Sequence, residues 1–60
     1  MQIMIKEILR HEPIIINGVH TIKENPDVDA ILFNGVNEED KPFSYFYPKN
    51  FIEYFRKVGD

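Results

Sequence analysis

The residues of this sequence that could do chemistry are few and scattered. Ser44 is the sole serine, and it sits in an aromatic run with no flanking glycine. A serine nucleophile needs a sharp, glycine-lined turn and a histidine partner, so a Ser/His/Asp triad has no natural seat here. His11 and His20 are nine residues apart, and His11-Glu12 lacks the second histidine of a zinc-protease helix. That spacing matches no metal-ligand pattern with a mechanism, and both histidines read as polar, partly exposed side chains. Glu38-Glu39-Asp40 places three carboxylates in a row. Acid–base work needs at least one carboxyl removed from water, whereas a run of this kind reads as a solvated loop. Such a loop, Glu38, Glu39 and Asp40 together, can present negative charge to a basic partner. The three glycines are isolated, so nothing cradles a phosphate. The expectation is a non-enzyme with no cofactor and no metal.

The richest cluster is Phe43, Tyr45, Phe46 and Tyr47, followed by Lys49 and, further on, Arg56. Aromatic rings beside cations can stack a base and hold a phosphate. The same residue types anchor protein interfaces. The expected binding set is therefore Tyr45, Tyr47, Lys49, Arg56 and His20. The competing reading is that these aromatics are simply the core of a chain too small to have another.

The elements that must position these residues follow from period and turn chemistry. Met1 to His11 reads two ways: Ile3, Ile5 and Leu9 alternate as a strand would, with Ile8 breaking the pattern, while Ile5, Ile8 and Leu9 also fit a helical stripe. The short β-branched run and nearby Pro13 favour the strand without deciding it. Ile14-Ile15-Ile16, then Asn17-Gly18, then Val19 to Ile22 reads as two strands joined in a hairpin, because Asn-Gly suits a tight turn with positive φ. Glu24-Asn25-Pro26-Asp27 is turn chemistry. Val28 to Phe33 reads as the next strand, ended by Asn34-Gly35, and Phe43 to Tyr47 as another. Phe43, Tyr45 and Tyr47 fall on one face of it, Ser44 and Phe46 on the other. From Pro48 onward the spacing of Phe51, Phe55 and Val58, with Arg56 and Lys57 near the end and Gly59 as terminator, predicts a helix. Asn50 and Glu53 would cap it. The expected fold is α+β: a small antiparallel β-meander of four to five strands with one C-terminal helix, in a single domain spanning 1–60.

Sixty residues without cysteine leave neither disulfide nor thiolate metal as a staple. A chain of this size buries only about 60% of the surface its unfolded form exposes. With 43% hydrophobic residues and eight aromatics, self-association is the expected remedy. Net charge is −3, and residues 25–40 alone carry −5 while residues 41–60 carry +2. No basic stripe large enough for duplex nucleic acid is present. No secretory signal and no run of about 20 apolar residues appears, so a cytoplasmic protein without membrane contact is expected. The bias towards Ile, Asn, Lys, Phe and Tyr is that of AT-rich coding sequence and suggests a bacterial or phage source.

Residues 30 to 59 resemble the small domain family called KTSC. The resemblance rests on Phe33-Asn34-Gly35, Ser44-Tyr45-Phe46-Tyr47, Pro48, and Phe51 with Tyr54 and Phe55. It implies a hairpin followed by a short helix, and binding more than chemistry. The functional expectation is a non-catalytic protein of phage or mobile-element origin that binds and inhibits a host protein. The alternatives are an oligomeric sponge for a nucleotide-like signalling ligand and a small nucleic-acid-binding barrel.

Overall fold

The computed structural model describes residues 1–59. Six strands run in chain order: β1 (Gln2–Glu7), β2 (Ile14–Ile16), β3 (Val19–Asn25), β4 (Ala30–Val36), β5 (Pro42–Pro48) and β6 (Ile52–Gly59). One 3₁₀ turn, Lys49–Phe51, separates the last two. They form two three-stranded antiparallel sheets, ordered β2-β1-β6 and β3-β4-β5. The chain changes sheet twice, at Asn17-Gly18 and at the 3₁₀ turn.

The inner faces follow from strand alternation. Ile3 and Ile5 of β1, Ile16 of β2, Val19 of β3, and Ile31 and Phe33 of β4 form one buried cluster. Ile14, Ile22, Phe43, Tyr47, Ile52 and Phe55 pack around it. Each fully buried isoleucine stabilises the fold by about 1.5–3 kcal/mol relative to exposure. Phe33 is the hub: its ring meets Tyr47 and Phe55 edge-on at centroid distances of 6.0 and 5.5 Å, the geometry aromatic quadrupoles prefer.

The α+β expectation is corrected. Ile52–Gly59 is a strand, the described residues include no α-helix, and there are six strands instead of four or five. Pro48 is extended (φ −60°, ψ 135°), and Asn50 caps nothing, since the short turn has no side-chain cap. Ile52, Tyr54, Phe55 and Val58 are β-branched or aromatic, types that fit a pleated surface as well as a helical stripe. What decides is β1. Its inner residues are wholly buried, and the three-residue β2 can pair only Ile3 to Ile5 on one side. β6 supplies the ladder on the other, with Ile3, Met4, Ile5 and Lys6 opposite Lys57, Arg56, Phe55 and Tyr54. Buried backbone groups must be paired, and that need overrides local period.

Two turn expectations are corrected with it. Asn17-Gly18 does not close a hairpin; β2 and β3 are not partners, and the dipeptide bends the chain from one sheet into the other. Such bends make the corners of packed sheets. Gly18 has φ +78°, and its carbonyl accepts from the Val36 N–H at 3.0 Å. Asn34-Gly35 does not end its strand either, since β4 runs on to Val36. The two glycines touch: a Cβ on Gly35 would collide with the Gly18 carbonyl, and one on Gly18 with the carbonyl of Val36. The Pro26–Asp29 turn does join β3 to β4. Asn25 Oδ1 accepts from the Asp27 N–H at 3.1 Å, and Val28 lies in this exposed turn, outside β4.

Candidate functional site

The surface with the strongest claim to bind something lies where the β1–β2 loop meets the 3₁₀ turn. β1 stops at Glu7 because its alternation fails at Ile8-Leu9 and Pro13 soon follows. The Ile8 N–H donates to the Phe51 carbonyl at 2.9 Å, and the Arg10 N–H to the Glu7 carbonyl at 3.2 Å. The first bond ties the loop to the 3₁₀ turn and the second closes the loop's own bend, with the side chains left outside. Leu9 is 96% exposed, Phe51 57% and Ile8 53%. With Glu7 and Asn50 they line a groove of about 370 Å³. Three large apolar side chains held together in water on a tethered loop mark an interaction site; a scattered single one would not.

The rim of this groove is polar. Lys6 Nζ donates to the Glu7 carbonyl at 2.8 Å and lies 3.1 Å from Glu53 Oε2. The Tyr47 hydroxyl reaches towards Glu7 Oε2 at 3.5 Å, the outer limit of a hydrogen bond. Burial pushes the Tyr47 pKa above its usual 10.0, and the neighbouring Glu7 carboxylate adds to that. No polar or charged side chain is fully buried among the described residues. The arrangement can therefore recognise an apolar group and order polar ones around it.

A second, shallower groove of about 270 Å³ lies on the outer face of β3-β4-β5, where Leu32 and Phe46 stand opposite one another beside Lys23 and Pro26. Phe46 is 59% exposed. The same face carries a polar row in which Ser44 Oγ donates to Asn34 Oδ1 at 2.6 Å and Asn34 Nδ2 donates to Thr21 Oγ1 at 3.4 Å. The single serine is thus part of a cross-strand ladder.

The expected binding residues are spread over both sheets. Tyr45 and Tyr47 lie on the β5 face that turns towards Phe33, where Tyr45 leans on Phe43 with ring centroids 5.2 Å apart. Lys49, in the 3₁₀ turn, sits 3.6 Å from Glu24. Arg56 is exposed on β6 opposite Met4, and His20 is exposed on β3 where its register with β4 shifts. A groove beside Ile31, Ile52 and Phe55 takes in Lys49 but none of the other four. Glu38, Glu39 and Asp40 form the tip of the β4–β5 hairpin. Asn37 Oδ1 orders that tip by accepting from the Glu39 and Lys41 N–H groups at 2.9 and 3.0 Å. Asp40 takes φ +63°, which aspartate tolerates better than most residues.

Ile8, Leu9 and Phe51 were not among the residues expected to bind. One signal could have found the first two: they are adjacent apolar residues beyond the point where strand alternation breaks, on a stretch that then turns polar. Phe51 gave none, since a helical stripe would have placed it inwards. His11 and His20 are both exposed, and no group of three His, Asp or Glu side chains converges among the described residues. No helix among them is long and apolar enough to cross a membrane. No family model, no curated protein and no solved structure matches this chain. The residues that carry the KTSC resemblance occupy β4, β5, the 3₁₀ turn and β6.

Proposed function

We propose that this chain is a non-catalytic binding protein that captures a protein partner through Ile8, Leu9 and Phe51, and inhibits it by occupying its surface. One observation carries the reading: Leu9 is 96% exposed on a loop that backbone hydrogen bonds hold in place. An isolated leucine in that position would cost solubility for nothing, whereas a preformed apolar cluster with a polar rim is what the centre of a protein interface needs. The absence of any fully buried ionisable group among the described residues also fits recognition better than acid–base chemistry. A host protein of the organism in which the chain is expressed is the intended kind of partner.

The test compares affinity capture by the wild-type chain and by a Leu9→Asp/Phe51→Ser variant from the same host extract. The expected outcome is a discrete prey retained by the wild type and weakened about a hundredfold or more by the variant, the scale of two lost anchors. Both chains should melt at similar temperatures. A prey bound equally by both would remove this surface from the interaction.

A further inference from the structure

We propose that Asn17 is a site of spontaneous modification in the folded chain, closing on the Gly18 nitrogen to a succinimide that opens to aspartate or isoaspartate, while the identical dipeptide Asn34-Gly35 is spared. The inference is independent of the partner-binding groove, which neither dipeptide lines.

An asparagine carboxamide lies within reach of the next residue's main-chain nitrogen, and joining the two closes a five-membered ring. The Gly18 nitrogen gives its proton to hydroxide and forms a bond to Asn17 Cγ. The Cγ–Nδ2 bond breaks, and the side-chain nitrogen takes a proton from water and leaves as ammonia. Water then opens the ring. Cleavage of the new N–Cγ bond gives aspartate; cleavage of the original peptide bond gives isoaspartate, with the main chain rerouted through the side chain. The net exchange is NH₂ for OH, nothing is oxidised or reduced, and water and hydroxide are the only co-reactants. A glycine must follow, because a β-carbon would crowd the attacking nitrogen. Of the five asparagines only Asn17 and Asn34 precede glycine; Asn25 precedes Pro26, and Asn37 and Asn50 precede Glu38 and Phe51. Proline has no N–H to give up.

The sequence makes Asn17 and Asn34 equals, and the fold separates them. Asn17 is exposed, at the bend between β2 and β3 and in neither strand. Among the described residues the Gly18 N–H has no hydrogen-bond partner. The Asn17 carboxamide is held at one end only, where Gln2 Nε2 donates to its Oδ1 at 2.8 Å on the surface. That bond leaves Nδ2 free to depart and sets a donor on the oxygen that gains negative charge when Cγ is attacked.

Asn34-Gly35 offers none of this. Gly35 is buried in the central strand, between Val19 of β3 and Phe43 of β5. The Val36 N–H points to the β3 side, where the Gly18 carbonyl accepts it. N–H groups alternate along a strand, so that of Gly35 points the other way, into the ladder with β5. The Asn34 carboxamide is held at both ends: Oδ1 accepts from Ser44 Oγ at 2.6 Å, and Nδ2 donates to Thr21 Oγ1 at 3.4 Å. Ring closure there would break a ladder bond and both side-chain bonds, in a place hydroxide does not reach.

The experiment holds the full chain in mildly alkaline buffer, once folded and once in guanidinium chloride, and follows both dipeptides by digestion, chromatography and mass measurement. In the folded chain Asn17 is expected to convert about tenfold or more faster than Asn34, at a rate that rises with pH. In denaturant the two should convert at comparable rates. Isoaspartate beside aspartate at position 17 identifies the ring. Folded Asn17 converting no faster than Asn34 would overturn the proposal. So would the same preference for Asn17 in denaturant, which would place its cause in the neighbouring sequence, or aspartate alone, which would mean direct hydrolysis.

Discussion

Two glycines do what no other residue could do at the corner between the sheets. A side chain on Gly35 would meet the Gly18 carbonyl and bring a carbon within 2.8 Å of the Phe43 ring. Neither neighbour can retreat, because the carbonyl belongs to the bend and the ring packs on the core. Gly35→Ala should therefore cost about 3 kcal/mol or more, read as a fall in the urea midpoint at constant slope. Gly59→Ala is the control. Its Cβ would lie 3.2 Å from Gln2 Oε1, the end of a flexible side chain that can swing aside, so a change under about 1 kcal/mol is expected. Tyr47 gives a pH dependence of known sign. Its folded pKa is raised above the ordinary 10.0, first by burial and then by Glu7. The unfolded chain thus loses the phenolic proton first, and the stabilisation, complete below pH 10, is lost as pH rises through the folded value. Denaturation midpoints followed from pH 8 to 11.5 should fall more for the wild type than for Tyr47→Phe. Equal falls would remove Tyr47 as a source of alkaline sensitivity.

Among the elements, the last strand carries the sharpest test. In a helix, Phe51 and Phe55 would share one face and be worth similar amounts. As a 3₁₀ turn followed by β6 they differ: Phe55 packs edge-on against Phe33, while Phe51 is 57% exposed. Phe55→Ala should cost about 2–4 kcal/mol, from lost burial, a partly collapsed cavity and the lost aromatic pair. Phe51→Ser should cost less than about 1 kcal/mol. Thermal or urea unfolding of the two variants side by side reads the difference; equal losses would contradict the strand. The 3₁₀ turn is itself tied down, since the Lys49 N–H donates to the Asp29 carbonyl at 2.9 Å. This bond joins the second sheet crossing to the β3–β4 turn and sets the direction in which β6 leaves. The same turn offers Phe51 to the groove, so the element that closes the fold also builds the candidate site.

For the whole molecule the governing fact is a shortage of interior. Of eight aromatic side chains one is buried, three are partly buried and four are exposed. The chain presents 4481 Å² to solvent, about a tenth more than the ~4,100 Å² usual for a folded monomer of 7.1 kDa. Its Cα atoms span 30 × 28 × 16 Å, a flattened body with two sheets and little between them. The large apolar side chains left exposed are Ile8, Leu9 and Phe51 at the groove, Tyr54 and Val58 on β6, and Ile15, Val28, Tyr45 and Phe46 elsewhere. Because Leu9 and Phe51 already stand in water, their loss together should leave stability almost unchanged while removing a partner.

Read alone, the sequence favoured a strand at β1 over a helix without deciding it, and it already held the β3–β4 turn at Pro26 and the two-faced β5. Each of these rests on contacts within a few residues: strand alternation, a proline in a turn, side chains two apart on one face. It held also the lack of a disulfide staple and the surplus of exposed rings, which follow from length and composition. It could not decide Ile52–Gly59, because Ile52, Tyr54, Phe55 and Val58 fit a helical stripe, and only a bulge opposite Lys6 and Glu7 lets both Ile52 and Phe55 turn to the core of a strand. Nor could it decide Asn17-Gly18 and Asn34-Gly35, where φ freedom and close approach serve a hairpin or a corner equally well. Those choices were made by pairing across the chain. β1, buried on its inner face, needs a ladder on both sides, and only a strand returning from the far end of the sequence can provide the second. Once β6 takes that place, the 3₁₀ turn must lie against the β1–β2 loop, and the groove at Leu9 comes into being.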